Sequence, residues 1–190
     1  HLVYSGRCKN LSESEKNLLA QKFALENRAP AKRILLEDRD ISFEDGHFGH
    51  QSCNLVRDIG DFIIRRGDGN FAYQLAVVVD DALMGVTEIV RGRDLLLSAA
   101  AQIYLYEKLN FQIPKFYHLP LLVGEDGRRL SKRDKDSDMG VLRKNFTCEE
   151  IIGKILFLSG CIEKEEKISI EDSVSAFEWN KITLSDVLVK

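Results

Sequence analysis

The chain has 190 residues, 44% hydrophobic and 30% charged, with a formal net charge of −3. That balance fits one large globular domain, or one domain with a small appendage, and excludes a disordered chain or a membrane-spanning bundle. The weak negative charge gives no overall attraction to nucleic acid, so RNA binding would have to come from a local patch. No apolar run reaches bilayer-crossing length and the opening HLVYSGRCKN lacks a secretory pattern, so a cytoplasmic location is expected. Cys8, Cys53, Cys148 and Cys161 lack paired spacing, which predicts reduced thiols. The start at His1, without methionine, suggests a fragment or trimmed chain.

In chain order, Tyr4 and Cys8 frame the short turn Ser5-Gly6-Arg7. Ser12 and Glu15 have capping-box spacing, predicting a helix from Glu13 to about Leu25 that ends between Asn27 and Pro30. Ala31 to Leu36 and the segment around Ile41-Ser42-Phe43 read as two strands of a hairpin joined through the charged turn Glu37 to Asp40. His47, His50 and Cys53 follow at intervals of three, the spacing by which a helix would gather two imidazoles and a thiol for zinc. Gly46 and Gly49 and the lack of a fourth ligand favour a polar surface loop. Asp61 to Arg66 reads as a strand, with a turn at Gly67-Asp68-Gly69-Asn70.

The stretch Phe71 to Leu97 concentrates an apolar spine and several polar groups. It predicts a short strand at Phe71 to Leu75, a helix from about Ala76 to Met84 stopped by Gly85, and a strand at Val86 to Val90. The polar turn Arg91-Gly92-Arg93-Asp94 then opens a helix from Leu95 to Leu109. In open α/β sheets the carboxyl end of a strand is where ligands bind. There Tyr73 and Arg91 offer a phenol and a guanidinium fork suited to a small carboxylate; the alternative is an arginine paired with a neighbouring acid and a half-buried core tyrosine.

Phe116 to Val123 is strand-like, and Glu125-Asp126-Gly127 turns the chain into Arg129-Leu130-Ser131-Lys132-Arg133. With Arg128 and Lys135 this stretch holds five cations, diluted by Asp134, Asp136 and Asp138, and a solvated loop is the alternative to a binding patch. Helices follow at Val141 to Lys144, at Cys148 to Leu158 between an N-cap at Thr147 and a stop at Gly160, and near Ser169 to Phe177.

Arg129-Leu130-Ser131-Lys132-Arg133 resembles the lysine-methionine-serine-lysine-serine loop of class I aminoacyl-tRNA synthetases. FAYQLAVVVDDALMGVTEIVRGRDLL and FYHLPLLVGEDGRRLSKR resemble the glutamyl-tRNA synthetase group. YSGRC, LVRDIGDFIIRRGDGNFAYQLAVVVDD and ISIEDSVSAFEWNKI are similar to its glutamyl-Q tRNA(Asp) branch. Val77, where discriminating glutamyl-tRNA synthetases carry asparagine, fits that branch.

The resemblance implies an α/β fold: the second half of a Rossmann-like catalytic domain with a small helical C-terminal appendage. It divides the chain into 1–30 (end of a zinc-type insertion, and a helix), 31–138 (catalytic half with the loop) and 139–190 (helical). It implies activation of glutamate with ATP and Mg2+ and transfer to tRNA, tRNA(Asp) or tRNA(Glu), by a monomer with no membrane partner. Lys132, Ser131 and Arg129 are the implied catalytic residues, with Leu130, Lys132 and Arg133 on ATP and Tyr73 and Arg91 on glutamate. Tyr4 and Cys8 correspond to half of a zinc site, so Zn2+ is expected only if ligands upstream complete it.

His47-Phe48-Gly49-His50 has the letters of the class I histidine signature but follows a hairpin and stands too close to Ser131, so it reads as coincidence. The chain is then expected to lack the first nucleotide-binding half. Two alternatives stand beside this reading: a non-catalytic RNA-binding or interaction module on the same scaffold, and a divergent nucleotidyltransferase using His47 and His50 on ATP.

Overall fold

The computed structural model describes residues 3–130 and 139–189. Its chain order is α1 (Glu13–Leu25), β1 (Lys32–Arg33), β2 (Asp40–Asp45), β3 (Gly49–Asn54), β4 (Ile63–Arg65), α2 (Tyr73–Leu83), β5 (Glu88–Gly92), α3 (Leu96–Lys108), β6 (Lys115–Leu119), β7 (Leu122–Val123), α4 (Met139–Asn145), α5 (Cys148–Ser159), α6 (Ile170–Ala176) and β8 (Val187–Leu188). β2, β3, β5 and β6 form a sheet in the order β3-β2-β6-β5, with β2 antiparallel to β3 and parallel to β6. The chain divides into two units: residues 1–45, 49–89 and 95–116 form the first, and residues 46–48, 90–94 and 117–190 the second. No helix among the described residues is long and apolar enough to cross a membrane.

The first unit is organised around α3, every residue of which from Ala99 to Tyr106 is buried. Leu36, Ile41, Leu55, Ile59, Val78 and Phe116 pack into the same core. Three consecutive alanines let neighbouring backbone approach the helix on several sides, so burial around its circumference replaces the single apolar stripe of a surface helix. Gln102, inside this core, donates to Gln74 Oε1 of α2 at 2.8 Å, which satisfies a polar group that burial would otherwise penalise. Around the rim, Arg39 pairs with Glu107 and Lys108 with Glu37.

α1 has the expected bounds and the capping box of Ser12 and Glu15. The first hairpin differs from expectation. β1 pairs with β4 rather than β2, and the hairpin is β2–β3, with Ile41 opposite Cys53 and Glu44 opposite His50. Glu37 to Arg39 connect the two sheets, with Glu37 paired to Lys108 of α3, and Asp40 already opens β2.

α2 begins at Tyr73, so the expected strand at Phe71 to Leu75 is absent and Phe71 makes only an isolated bridge to Arg65. The triplet Val77-Val78-Val79 is helical despite its β-branching, because Val78 is driven into the core and that burial outweighs a propensity deficit of a few tenths of a kcal/mol. The next strand runs Glu88–Gly92 and thus takes in Arg91. Pro120, which has no N–H to donate, separates β6 from β7 where one strand was expected.

In the second unit, α5 runs from the Thr147 capping box to Gly160, whose φ of 87° is the left-handed stop its sequence position predicts. Leu156, Cys161, Ile168 and Ile182 form a smaller core there, flanked by Ile152 and Trp179. β8, not anticipated from sequence, pairs in parallel with β7. A two-residue strand carries no periodicity to detect.

Candidate functional site

The polar turn at the end of β5 lies in the second unit, with both arginines flanking Gly92. Arg91, half-buried, donates its Nε–H to Nε2 of His118 on β6 at 3.0 Å. Arg93 follows on a 3-10 turn and is used differently. Its Nη2 meets Asp186 Oδ2 at 2.7 Å, while Asp186 Oδ1 accepts the Leu121 N–H at 2.9 Å. One carboxylate thus ties the β5 end, the residue before β7 and the approach to β8.

Asp94 forms an ion pair with Arg129, the first residue of the loop resembling the synthetase signature. The loop entrance is also held by backbone: Val123 and Arg129 form a β-bridge, and Leu130 N–H donates to Leu122 O at 2.9 Å. Arg128 N–H and guanidinium both donate to Asp126, and these bonds hold the Asp126 carboxyl below its usual range. The chain is therefore fixed by hydrogen bonds up to Leu130. Ser131, Lys132 and Arg133 lie outside the described residues.

Tyr73 is the first residue of α2, in the first unit, and is 56% exposed. Arg91, Arg129 and Leu130 belong to the second unit. The sequence singled out Arg91 but passed over His118, which stood in an apolar run, and Asp94 and Asp186, which looked like ordinary surface acids. The available signal was a histidine at a buried alternation position of a strand.

His47, His50 and Cys53 do not converge. On β3, positions three apart point to opposite faces, so His50 and Cys53 are separated by the sheet itself. His50 pairs with Glu44 at 2.7 Å. His47, on the turn between β2 and β3, donates from Nε2 to the Thr183 carbonyl at 3.1 Å. Burial pushes the Cys53 thiol up, with Asp58 and Asp40 adding to the shift, which disfavours the thiolate a metal needs.

Tyr4 and Cys8 are close: the Tyr4 hydroxyl accepts the Cys8 N–H at 2.9 Å. Arg33 stacks over the Tyr4 ring at 3.9 Å, and Lys9 pairs with the buried Asp61 at 2.6 Å. Two donors are half of a tetrahedral set, and among the described residues no cluster of three or more metal-ligating side chains occurs. These residues by themselves do not fit a zinc ion.

The class I tRNA synthetase (E and Q) catalytic-domain model matches residues 4–188. A glutamyl-Q tRNA(Asp) synthetase of Neisseria meningitidis is 51% identical over 131 residues, covering 69% of this chain and 42% of that protein. Another, of Symbiobacterium thermophilum, is 38% identical over 188 residues, covering 98% of this chain and 57% of that protein. The crystal structure of a glutamate tRNA ligase from Elizabethkingia meningosepticum, in complex with its amino acid, superposes with a TM-score of 0.74 at 25% identity, covering 99% of this chain and 42% of that one. The chain thus spans about half the length of the proteins it matches, 42% to 57%. With nearly every residue matched, the chain belongs to the class I tRNA synthetases of the E and Q type and falls within their catalytic domain.

Proposed function

We propose that this chain supplies the second half of the catalytic domain of an enzyme that activates glutamate with ATP and transfers it to tRNA, in the manner of glutamyl-Q tRNA(Asp) synthetases. Residues 31–138 would form the catalytic half and 139–190 the helical appendage. The observation that carries the reading is the pair of arginines at the end of β5. Arg93 meets the Asp186 carboxylate, and Arg91 donates its Nε–H to His118. A guanidinium at the end of a strand suits a carboxylate substrate.

In the proposed reaction the α-carboxylate of glutamate attacks the α-phosphorus of ATP. The bond to the bridging oxygen breaks, and pyrophosphate leaves with the released charge. Lys132 and Arg133, with Ser131 and Leu130 beside them, would stabilise that charge electrostatically. For Arg129 to join them it must exchange Asp94 for phosphate. Mg2+ would arrive with the triphosphate, and no residue here is assigned to it. A zinc ion would need ligands beyond Tyr4 and Cys8.

Glutamate-dependent ATP–pyrophosphate exchange tests the proposal, measured for this chain alone, for the chain with a first nucleotide-binding half added, and for the full-length protein that carries it. Exchange is expected where both halves are present, falling on the order of a hundredfold in Lys132→Ala. Transfer of glutamate to tRNA(Asp) but not to tRNA(Glu) would fix the acceptor. RNA binding without exchange in the full-length protein would instead establish a non-catalytic module.

A further inference from the structure

We infer that Lys32, Arg65 and Phe71, which form a row where β1, β4 and the chain at Phe71 run side by side, are a docking surface for an unpaired stretch of RNA. The two cations take backbone phosphate and the ring stacks on a base. The inference rests on the reading that the acceptor is a tRNA, and it concerns the surface that holds the RNA, not the residues that carry out the reaction.

Lys32 of β1 is the cross-strand partner of Arg65 of β4, and Arg65 forms an antiparallel bridge to Phe71 on its other side. Directly opposed residues send their side chains to the same face with Cβ atoms about 5 Å apart, so the row is about 10 Å long. The Arg65 guanidinium carbon lies 5.8 Å from the centroid of the Phe71 ring. All three residues are exposed, Phe71 at 65%, whereas Ile64, next along β4, points to the other face and is half-buried. The turn holds the row in place: Arg66 N–H donates to Asn70 O at 2.8 Å, Ala72 N–H to Ile64 O at 2.9 Å, and Arg65 Nε–H to Gly69 O at 3.1 Å.

Folding alone does not favour such a row. Like charges directly opposite across paired strands repel, and an exposed ring forgoes the gain of burial. Other cations of this unit are matched by acids: Lys9 by Asp61, Arg28 by Glu26 and Arg66 by Asp68. Arg65 instead has a carbonyl and a ring, which leave its charge in place. A nucleic acid strand offsets both costs at once, with phosphate between the opposed cations and a base over the ring. A paired helix keeps its bases stacked inside and offers phosphate alone, and an acidic protein segment brings carboxylates without a flat π face. The net charge of −3 gives RNA no general attraction, so cations have to be gathered locally. In the other basic stretch, Arg128 and Arg129 are paired with Asp126 and Asp94.

The test is binding of tRNA(Asp) and tRNA(Glu) by the full-length protein carrying this chain, followed across a salt series, for Lys32→Ala, Lys32→Glu, Arg65→Gln, Phe71→Leu and Phe71→Tyr. Each lost cation should flatten the slope of log affinity against log salt by about 0.7 and weaken binding about fivefold at 0.1 M salt. Phe71→Leu should weaken binding about tenfold at every salt concentration with the slope unchanged, whereas Phe71→Tyr keeps a π face and should bind as the wild type does. Lys32→Glu sets an acid opposite Arg65, so it should bind less well than Lys32→Ala without a fall in Tm, which separates loss of binding from loss of fold. Two short RNAs, a single strand matching the tRNA 3′ end and a stem-loop matching its anticodon arm, identify the stretch: it belongs to the one whose binding Phe71→Leu weakens.

An unchanged salt slope in Lys32→Ala and Arg65→Gln overturns the inference, as does equal tRNA binding by Phe71→Leu and Phe71→Tyr. If the cation variants weaken binding of poly-glutamate but not of tRNA, the row belongs to an acidic protein partner and the inference falls. A wild-type protein that binds neither tRNA overturns the underlying reading of the enzyme instead, so the two failures are distinguishable.

Discussion

The two units solve the problem of holding a chain in place by different means. In the first, α3 is buried from Ala99 to Tyr106 and the surrounding strands pack on it, so order comes from removing apolar surface from water. In the second, the apolar core is smaller, and Arg91, Arg93 and Arg129 are set by directional bonds to His118, Asp186 and Asp94. Burial is indifferent to direction and suits a scaffold. Cations left partly exposed are not held by burial, so their geometry depends on hydrogen bonds and ion pairs whose partners can be removed singly.

The largest effect expected from this comparison lies in the first unit. Leu55 is fully buried, and Leu55→Ala should lower stability by about 3 kcal/mol, read from urea denaturation, with no salt dependence. Close behind is Gly153 of α5, where an added Cβ would lie 1.6 Å from the Glu166 carbonyl oxygen. That neighbour is backbone and cannot swing aside, so Gly153→Ala should cost about 2 kcal/mol in the second unit. Asp186→Ala removes the acceptor of the Leu121 N–H and the partner of a partly exposed Arg93. Discounted for solvent screening, its cost should be about 1 kcal/mol, smaller for Asp186→Asn, which retains an acceptor for the N–H. A salt-insensitive loss at Asp186, or a salt-sensitive one at Leu55, would break the comparison.

The smallest effect concerns pH. The Thr147 N–H, and then Lys167, hold the Glu150 carboxyl below its usual range. A group with a depressed folded pKa contributes stability above its unfolded value, about 4.3 for glutamate, and loses it as pH falls through the folded value. Denaturation midpoints measured from pH 6 down to pH 3 should fall less steeply in Glu150→Gln than in the wild type. An identical pH slope would remove the capping box from the account of α5.

Much of this fold was legible where local chemistry decides it. The Ser12–Glu15 capping box, the Thr147 N-cap and the Gly160 stop fix helix ends through bonds between near neighbours, which sequence spacing reveals. What was not legible depended on distant partners. β1 joins β4, with Lys32 opposite Arg65 and Arg33 opposite Ile63, without any local turn signal. α2 starts at Tyr73 because tertiary burial of Val78 overrides the β-branched triplet. At the candidate site, Arg91 was visible as a residue type at a strand end. Its difference from Arg93 was not, since Asp186 and His118 lie 93 and 27 residues away in sequence.

That difference is the centre of the account, and the glutamate and glutamine dependence of pyrophosphate exchange tests it directly, comparing Arg91→Ala with Arg93→Ala in the full-length protein. A fork on the side-chain carboxylate makes two charge-assisted bonds, each worth about 1.5 to 3 kcal/mol, so Arg91→Ala should raise the glutamate KM on the order of a hundredfold. Glutamine sets an amide NH2 against those donors, so the same change should also erase the preference for glutamate over glutamine. Arg93→Ala should keep that preference. Loss of the preference in Arg93→Ala with its retention in Arg91→Ala would contradict the assignment of the two arginines.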